Sequence, residues 1–231
     1  MGKPKAWMAW SSGKDSAWAL HLTRPRKEVE VVGMLTTITD SYQRVAMHGV
    51  RDELLQAQSD ALGLPLHRVR IPTPCSNEEY EAAMWSALEI ARGHGVTHIV
   101  FGDLFLEDVR AYREAQLARA GMVGHFPLWG RETGALALDM IAGGLRAYLT
   151  CVDPRRVPRN LAGRAFDEAL LSALPEGADP CGENGEFHTF AWDGPMFTTP
   201  IAVQVGDTVE RDGFVFTDLV RSEPAVLSAT P

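Results

Sequence analysis

Short β-branched apolar runs alternate with amphipathic stretches through the first half of the chain. Residues 6–10 form a compact apolar run, and 16–22 follow with Ala17, Trp18, Ala19 and Leu20 as the apolar surface of a helix. Residues 29–37 read as a strand, and Thr39-Asp40-Ser41 as a turn. Over 50–62, Val50, Leu54, Leu55, Ala57, Ala61 and Leu62 recur at helical spacing and stop at Gly63. A strand over 64–71 closes at Pro72-Thr73-Pro74, and Ser76-Asn77-Glu78-Glu79 opens a helix that runs to Arg92. A strand over 96–101 ends in Gly102-Asp103. Four strand–helix units with short connections predict an α/β fold: a parallel sheet with helices on both faces. The strand ends at Ser11, Thr37, Pro72 and Gly102 then share one edge, where such sheets bind ligands.

The second half changes character. A charged helix is expected over 106–120, a break over 121–127, a helix over 132–142, a strand over 145–152 and a helix over 164–174. After Gly177 the chain is dense in Gly and polar residues, then strand-like over 187–192 and 197–205. A hairpin follows over 208–219, turning at Asp212-Gly213, and the last ten residues read as frayed. The pattern predicts an α/β nucleotide-type domain over 1–126 and a smaller C-terminal α+β domain over 127–231, for substrate.

Composition narrows the class. At 45% hydrophobic and 23% charged, 231 residues can bury a core without staples. A net charge of −8 argues against a nucleic-acid surface. Cys75, Cys151 and Cys181 lie far apart with no C-x-x-C, which excludes zinc-finger, iron–sulfur and disulfide-scaffold readings and suits a reducing cytoplasm. No apolar run approaches the ~18 residues of a membrane span, so a soluble, cytoplasmic protein is expected.

The chemistry centres on Ser11-Ser12-Gly13-Lys14-Asp15-Ser16, a polar turn between the first strand and helix. Such a turn gathers free backbone N–H groups and the positive end of a helix dipole, a phosphate site. Gly13 allows close approach, the serines offer hydroxyls, Lys14 is a mobile positive charge, and Asp15 points to a hard cation such as Mg²⁺ beside the phosphate. The turn departs from the Walker P-loop, having Met8 where that motif needs its first Gly and Asp15 after the Lys. The simplest competing reading is a surface turn with a solvated Lys-Asp pair.

Ser12-Gly13-Lys14-Asp15-Ser16 resembles the pyrophosphate loop of the PP-loop, or N-type ATP pyrophosphatase, superfamily. A narrower likeness comes from Cys181-Gly182-Glu183-Asn184-Gly185-Glu186-Phe187-His188-Thr189 with Asp193-Gly194-Pro195, which resembles a segment of the diphthine–ammonia ligase family. Gly102-Asp103, Arg113-Glu114 and Pro127-Leu128-Trp129 fit that family's middle section, so the likeness spans residues ~6 to 205. Ser12 departs from it, standing where the family more often has Gly.

The resemblance implies a HUP-type fold and an ATP-dependent ligase. Such an enzyme adenylates a carboxylate, releases pyrophosphate and lets ammonia displace AMP. It implies that Ser11, Ser12, Gly13, Lys14, Asp15 and Ser16 hold the β- and γ-phosphates, with Asp15 on Mg²⁺. Thr36 and Thr37, with Leu35, are expected at adenine through backbone groups, and Gly102 and Asp103 beside the α-phosphate. Lys14, Glu183, Glu186 and His188 are the candidate catalytic residues, the last three for the second substrate or for protons; Cys181 is expected to be a buried thiol. His48-Gly49 and the Arg110, Arg113, Glu114 cluster are second-tier candidates. The partners implied are ATP, ammonia and a carboxylate acceptor, either a small molecule or a residue of a translation elongation factor. Abundant Ala, Arg and Trp suit a GC-rich bacterial source, where an acceptor other than diphthine is expected. A homodimer is compatible with the sequence. The rival readings are an ATP or AMP sensor without turnover and a PP-loop enzyme acting on tRNA, the latter disfavoured by the acidic charge.

Overall fold

The computed structural model describes residues 2–39, 44–45 and 49–222. His48, the turn at Asp40 and Ser41, and residues 223–231 lie outside the described residues. The first half runs β1 (Lys5–Ala9), α1 (Lys14–Arg26), β2 (Glu30–Thr39), β3 (Arg44–Val45), α2 (Asp52–Leu62), β4 (Leu66–Ile71), α3 (Asn77–Gly93), β5 (Val96–Val100), α4 (Glu107–Arg119) and β6 (Val123–His125). Five strands pair in parallel in the order β4-β2-β1-β5-β6, and β3 adds antiparallel to the end of β2. This is the expected α/β sheet. Its local signals act as the sequence predicts: Gly63 closes α2 at φ 65°, and Ser76 with Glu79 forms a reciprocal capping box on α3.

Four element boundaries differ from expectation. Helix α1 starts at Lys14, inside the polar turn, because Gly13 is already extended and serves as its N-terminal boundary. The break over 121–127 contains a strand, β6, which pairs with β5. The helix expected over 164–174 is only α6 (Glu168–Ala173). The backbone before it runs beside a strand instead: Phe166 N–H donates to Ala147 O (2.8 Å), and Leu149 N–H to Arg164 O (2.9 Å). The strand expected over 197–205 starts only at Val203, after Pro200, which has no N–H to give to a ladder.

The second half places α5 (Thr133–Ala142), β7 (Arg146–Val152), a 3-10 turn at Arg159–Leu161 and α6 before β8 (Phe187–Asp193), β9 (Val203–Arg211) and β10 (Phe214–Arg221). The strands form an antiparallel sheet, β8-β7-β10-β9. The β9–β10 hairpin turns at Asp212 and Gly213, both at positive φ (54° and 80°), the conformation of a type I′ turn.

The smaller sheet packs on the first. Trp18, Leu20, Leu54 and Leu55 of α1 and α2 belong to one buried cluster with Phe187, Phe190, Ala191 and Leu219 of β8 and β10. A separate cluster lies under α3 and α4, around Trp7, Leu88, Ala91, Ile99 and Leu117. Polar links stitch the halves: the Arg24 guanidinium donates to Leu62 O and Met196 O (2.9 Å each), and Arg51 Nε to Asp218 Oδ1 (3.1 Å). At the carboxyl edge Gly102 touches the start of α1. A Cβ there would lie 2.8 Å from Asp15 C and Ser16 N, both backbone atoms.

Gly102→Ala is therefore expected to cost about 1–3 kcal/mol, the usual cost of overpacking. Urea denaturation measures it. An unchanged midpoint would show that α1 does not rest on Gly102.

Candidate active site

The polar turn is built by its backbone. Ser12 sits at φ 71°, a left-handed conformation rare for a residue with a Cβ. Its carbonyl is drawn inward by two donors, Ala191 N–H and Gln58 Nε2, both at 2.9 Å. Gln58 is fully buried; it also donates to Ala191 O (2.7 Å) and accepts from Trp10 Nε1 (2.7 Å). The turn is thus fastened to α2, to the end of β1 and to β8 by one amide. Gly13 N–H donates to Ser11 Oγ (3.3 Å), Ser16 Oγ to Gly13 O (2.9 Å), and Lys14 N–H to Thr189 Oγ1 (3.0 Å). Ser12 departs from the expected hydroxyl donor: its Oγ is buried with no partner among the described residues, because the left-handed backbone turns the side chain away from the cleft.

Lys14 is not a mobile cation. It is 2% exposed; Nζ lies 3.0 and 2.9 Å from the Asp15 oxygens and donates to Cys181 O. The ammonium also sits 5.4 Å from the Phe166 ring centroid and 5.3 Å from that of Phe187. Burial alone would lower its pKa, but Asp15 and further negative neighbours outweigh this and raise it, so Lys14 stays charged. Burial raises the Asp15 pKa against the pull of Lys14.

The segment 181–189 carries the opposite wall. The Glu183 carboxylate accepts from Leu104 N–H (2.8 Å), and its own N–H donates to the buried Asp179 (2.7 Å). Burial pushes Glu183 up to about 7; Leu104 N–H opposes this, while Asp15 and Asp103 add to it. His188 is lowered to about 4 by burial and by Lys14, so it is a neutral imidazole at pH 7. Burial raises the Cys181 pKa, and the thiol donates to Thr133 O (3.4 Å), a buried, protonated group as expected. Glu186 is the exception among the candidate catalytic residues. It is 2% exposed and turned into the loop, where Oε1 accepts from Asp179 N–H (3.1 Å) and Asn184 Nδ2 (3.2 Å). It braces the turn of 179–186 and does not line the cleft.

Two cavities meet at the sheet edge. A polar one of about 240 Å³ is lined by Ser11, Lys14, Asp15, Ser16, Gly102, Asp103, Glu183 and His188, among others. An apolar one of about 430 Å³ takes in Leu35, Thr36 and Thr37 at the end of β2, with aromatic walls from Tyr80, Trp85, Phe101 and Tyr112. Thr36 Oγ1 is committed to Trp10 O (2.7 Å). Sequence reasoning missed Gln58, Asp179 and these aromatics. An isolated Gln in a helix carries no motif, and ring side chains at helical spacing read as core.

Two family models match. Residues 4–123 match the diphthamide synthase N-terminal domain, and 133–221 the diphthamide synthase C-terminal domain. The chain belongs to the diphthamide synthase family. Curated relatives similar to it are named diphthine–ammonia ligase. The Danio rerio protein is 29% identical over 166 residues, 65% of each chain. The Rattus norvegicus protein is 25% identical over 242 residues and the Homo sapiens protein 26% over 232, each match covering 89% of this chain and 85% of the relative. The chain thus spans just under two thirds of the first of these relatives. In this diphthamide synthase family member, no helix among the described residues is long and apolar enough to cross a membrane.

Two outcomes are expected from the site alone. Ser12→Gly removes a left-handed residue with a Cβ and an orphaned buried hydroxyl, and should stabilise the fold by about 1 kcal/mol; a lower thermal midpoint would refute the strain. The raised Glu183 pKa means that the native state binds more protons than the unfolded chain between pH 4.5 and about 7. That contribution is full below the unfolded pKa and lost as pH rises through the folded one. Glu183→Gln should therefore flatten a fall in stability across that window, read from urea melts at its two ends.

Proposed function

We propose that the chain is an ATP-dependent carboxylate–ammonia ligase of the diphthine–ammonia ligase kind. An acceptor carboxylate oxygen attacks the α-phosphorus of ATP, the α–β bridging bond breaks, and pyrophosphate leaves. Ammonia then attacks the acyl carbon; AMP departs, one proton is released, and an amide remains. One observation carries the reading: a polar cavity at the start of α1 opens into an apolar cavity at the same sheet edge, in a chain that matches both domains of the family. The apolar cavity suits adenosine, with the backbone of Thr36 and Thr37 at the base. The turn at 11–16 suits the β- and γ-phosphates, since Ser11 and Ser16 line the polar cavity and the α1 N-terminus presents a positive dipole end.

Within that reading, Lys14 supports the turn from below and offsets charge on the leaving pyrophosphate across a short distance. Glu183, poised near neutrality, takes the proton that ammonia must lose, and His188 is a neutral acceptor on the wall of the same cavity. Glu186 holds the loop that carries Glu183 and leads into β8, where His188 lies. Mg²⁺ needs only one or two carboxylates when phosphates complete its shell, and Asp15, with Asp103 nearby, offers hard oxygens in the polar cavity. Among the described residues no three His, Cys, Asp or Glu gather as a metal cage, which suits an ion brought with the nucleotide. Bound there, it would neutralise phosphate charge and orient the leaving group. We assign residues 1–126 to ATP and 127–231 to the acceptor, which is diphthine or a carboxylate like it, and the protein to the cytoplasm.

The test supplies ATP, Mg²⁺, ammonium and an acceptor protein bearing diphthine. Sustained turnover to equal amounts of AMP and pyrophosphate is expected only with all four present, and Glu183→Gln should bind ATP but lose amide formation by 10²-fold or more, on the order of a general base. ADP and phosphate as products, or nucleotide binding with no turnover on any acceptor, would favour the sensor instead.

A further inference from the structure

Arg113 stands where the two cavities meet. Among the described residues five line both: Ala9, Ser11, Phe101, Arg113 and His188. Of these Arg113 alone carries a permanent charge, since His188 is held neutral, and Lys14 lines the polar cavity only. Helix α4 presents the side chain, and two neighbours fix its plane. Asp103 faces it with Oδ2 at 2.9 Å from Nε and Oδ1 at 3.1 Å from Nη2. The Phe101 ring lies under it, with the guanidinium carbon 4.6 Å from the centroid. The side chain keeps 33% of its surface exposed. Nη2 donates to Asp103 Oδ1 while Nε meets Oδ2 as an ion pair without hydrogen-bond geometry, and the remaining N–H groups of the fork can take a second anion.

The connectivity of a nucleotide dictates what that anion is. With adenosine in the apolar cavity and the β- and γ-phosphates at the turn, the α-phosphate is the covalent link between them and lies at the junction. We propose that Arg113 binds the α-phosphate of the nucleotide and keeps hold of it after the contacts at 11–16 are lost with pyrophosphate. This inference rests on the ligase reading above and adds a division of labour. The turn at the start of α1 holds the part that leaves; Arg113 holds the part that stays, as acyl-adenylate and then as AMP. It also answers an electrostatic difficulty of the first step, in which an anionic carboxylate must approach an anionic phosphate. A guanidinium beside the α-phosphate offsets that repulsion and stabilises the added negative charge. Asp103 acts as the positioning residue, fixing the fork without removing its charge from the cavity wall.

Titration calorimetry with adenosine, AMP and inorganic pyrophosphate on the full chain separates the contributions. In Arg113→Met the affinity for AMP should fall by about tenfold or more, as for loss of a charge-assisted contact. Adenosine and pyrophosphate should stay within about twofold of the unaltered protein, which also shows that the variant is folded. Arg113→Lys, which keeps the charge and loses the fork, should fall between the two for AMP. An unchanged AMP affinity in Arg113→Met would overturn the proposal, as would an equal loss for adenosine, since Arg113 would then merely prop the Phe101 wall. If the unaltered protein binds neither AMP nor pyrophosphate, the nucleotide reading itself falls and takes this one with it.

Discussion

The site depends on one carbonyl. Ser12 O points into the core, held by Gln58 from α2 and by Ala191 from β8. The inward carbonyl goes with the left-handed backbone of Ser12, and the next two N–H groups are taken by the hydroxyls of Ser11 and Thr189. The two donors come from opposite halves of the chain. The turn at 11–16 is therefore completed by the second sheet and is not a self-contained loop on the first. Thr189 repeats the arrangement one step on, taking the Lys14 N–H through its hydroxyl. Buried amides cost free energy unless every group is satisfied, and here Gln58 uses both Nε2 donors and its oxygen.

This dependence explains why the smaller sheet shares a buried cluster with α1 and α2. A turn fastened at 2.9 Å from two elements keeps its geometry only if those elements cannot drift. The packing of Phe187 and Phe190 against the first half supplies that rigidity, and the same Phe187 forms part of the aromatic floor below Lys14. Lys14 is consequently a structural cation as well as an electrostatic one. It satisfies Cys181 O, pairs with Asp15, and so fixes the segment that carries Glu183 and His188 relative to the turn. The string 181–189 and the string 11–16, distant in sequence, are joined by that ammonium and by the Lys14 N–H bond to Thr189.

Much of this was legible beforehand. The strand–turn–helix pattern around Gly13 located the carboxyl edge, the parallel sheet followed from the order of elements, and Gly102 fell beside Asp15 as its strand-end position implied. What escaped had physical reasons. Ser12 looked like a donor because a hydroxyl near phosphate normally is one; its φ, set by tertiary contacts, was invisible in the sequence. Glu186 and Glu183 are chemically identical letters three positions apart, and only the fold turns one to the cleft and the other into its loop. The helix expected over 164–174 was shortened because β7 leaves an edge near Leu149 that residues 163–166 occupy, a tertiary demand that overrides local propensity.

The charge balance of the polar cavity connects these observations to the chemistry. Three carboxylates line it, Asp15, Asp103 and Glu183, against two cations, Lys14 and Arg113. Fully ionised, the walls would carry a net negative charge, a poor host for a triphosphate. Two features soften that conflict. Each cation is paired with one aspartate, Lys14 with Asp15 and Arg113 with Asp103, which leaves Glu183 as the unbalanced group. Glu183 is also the carboxylate whose pKa rises to about 7, so near neutrality a large share of it is uncharged. Under the ligase reading, the phosphates of bound ATP would push that proton on more firmly, and the departure of pyrophosphate would loosen it. A carboxylate that is neutral while the polyanion is present and becomes basic once it has gone has the order of protonation that an ammonia-dependent second step requires.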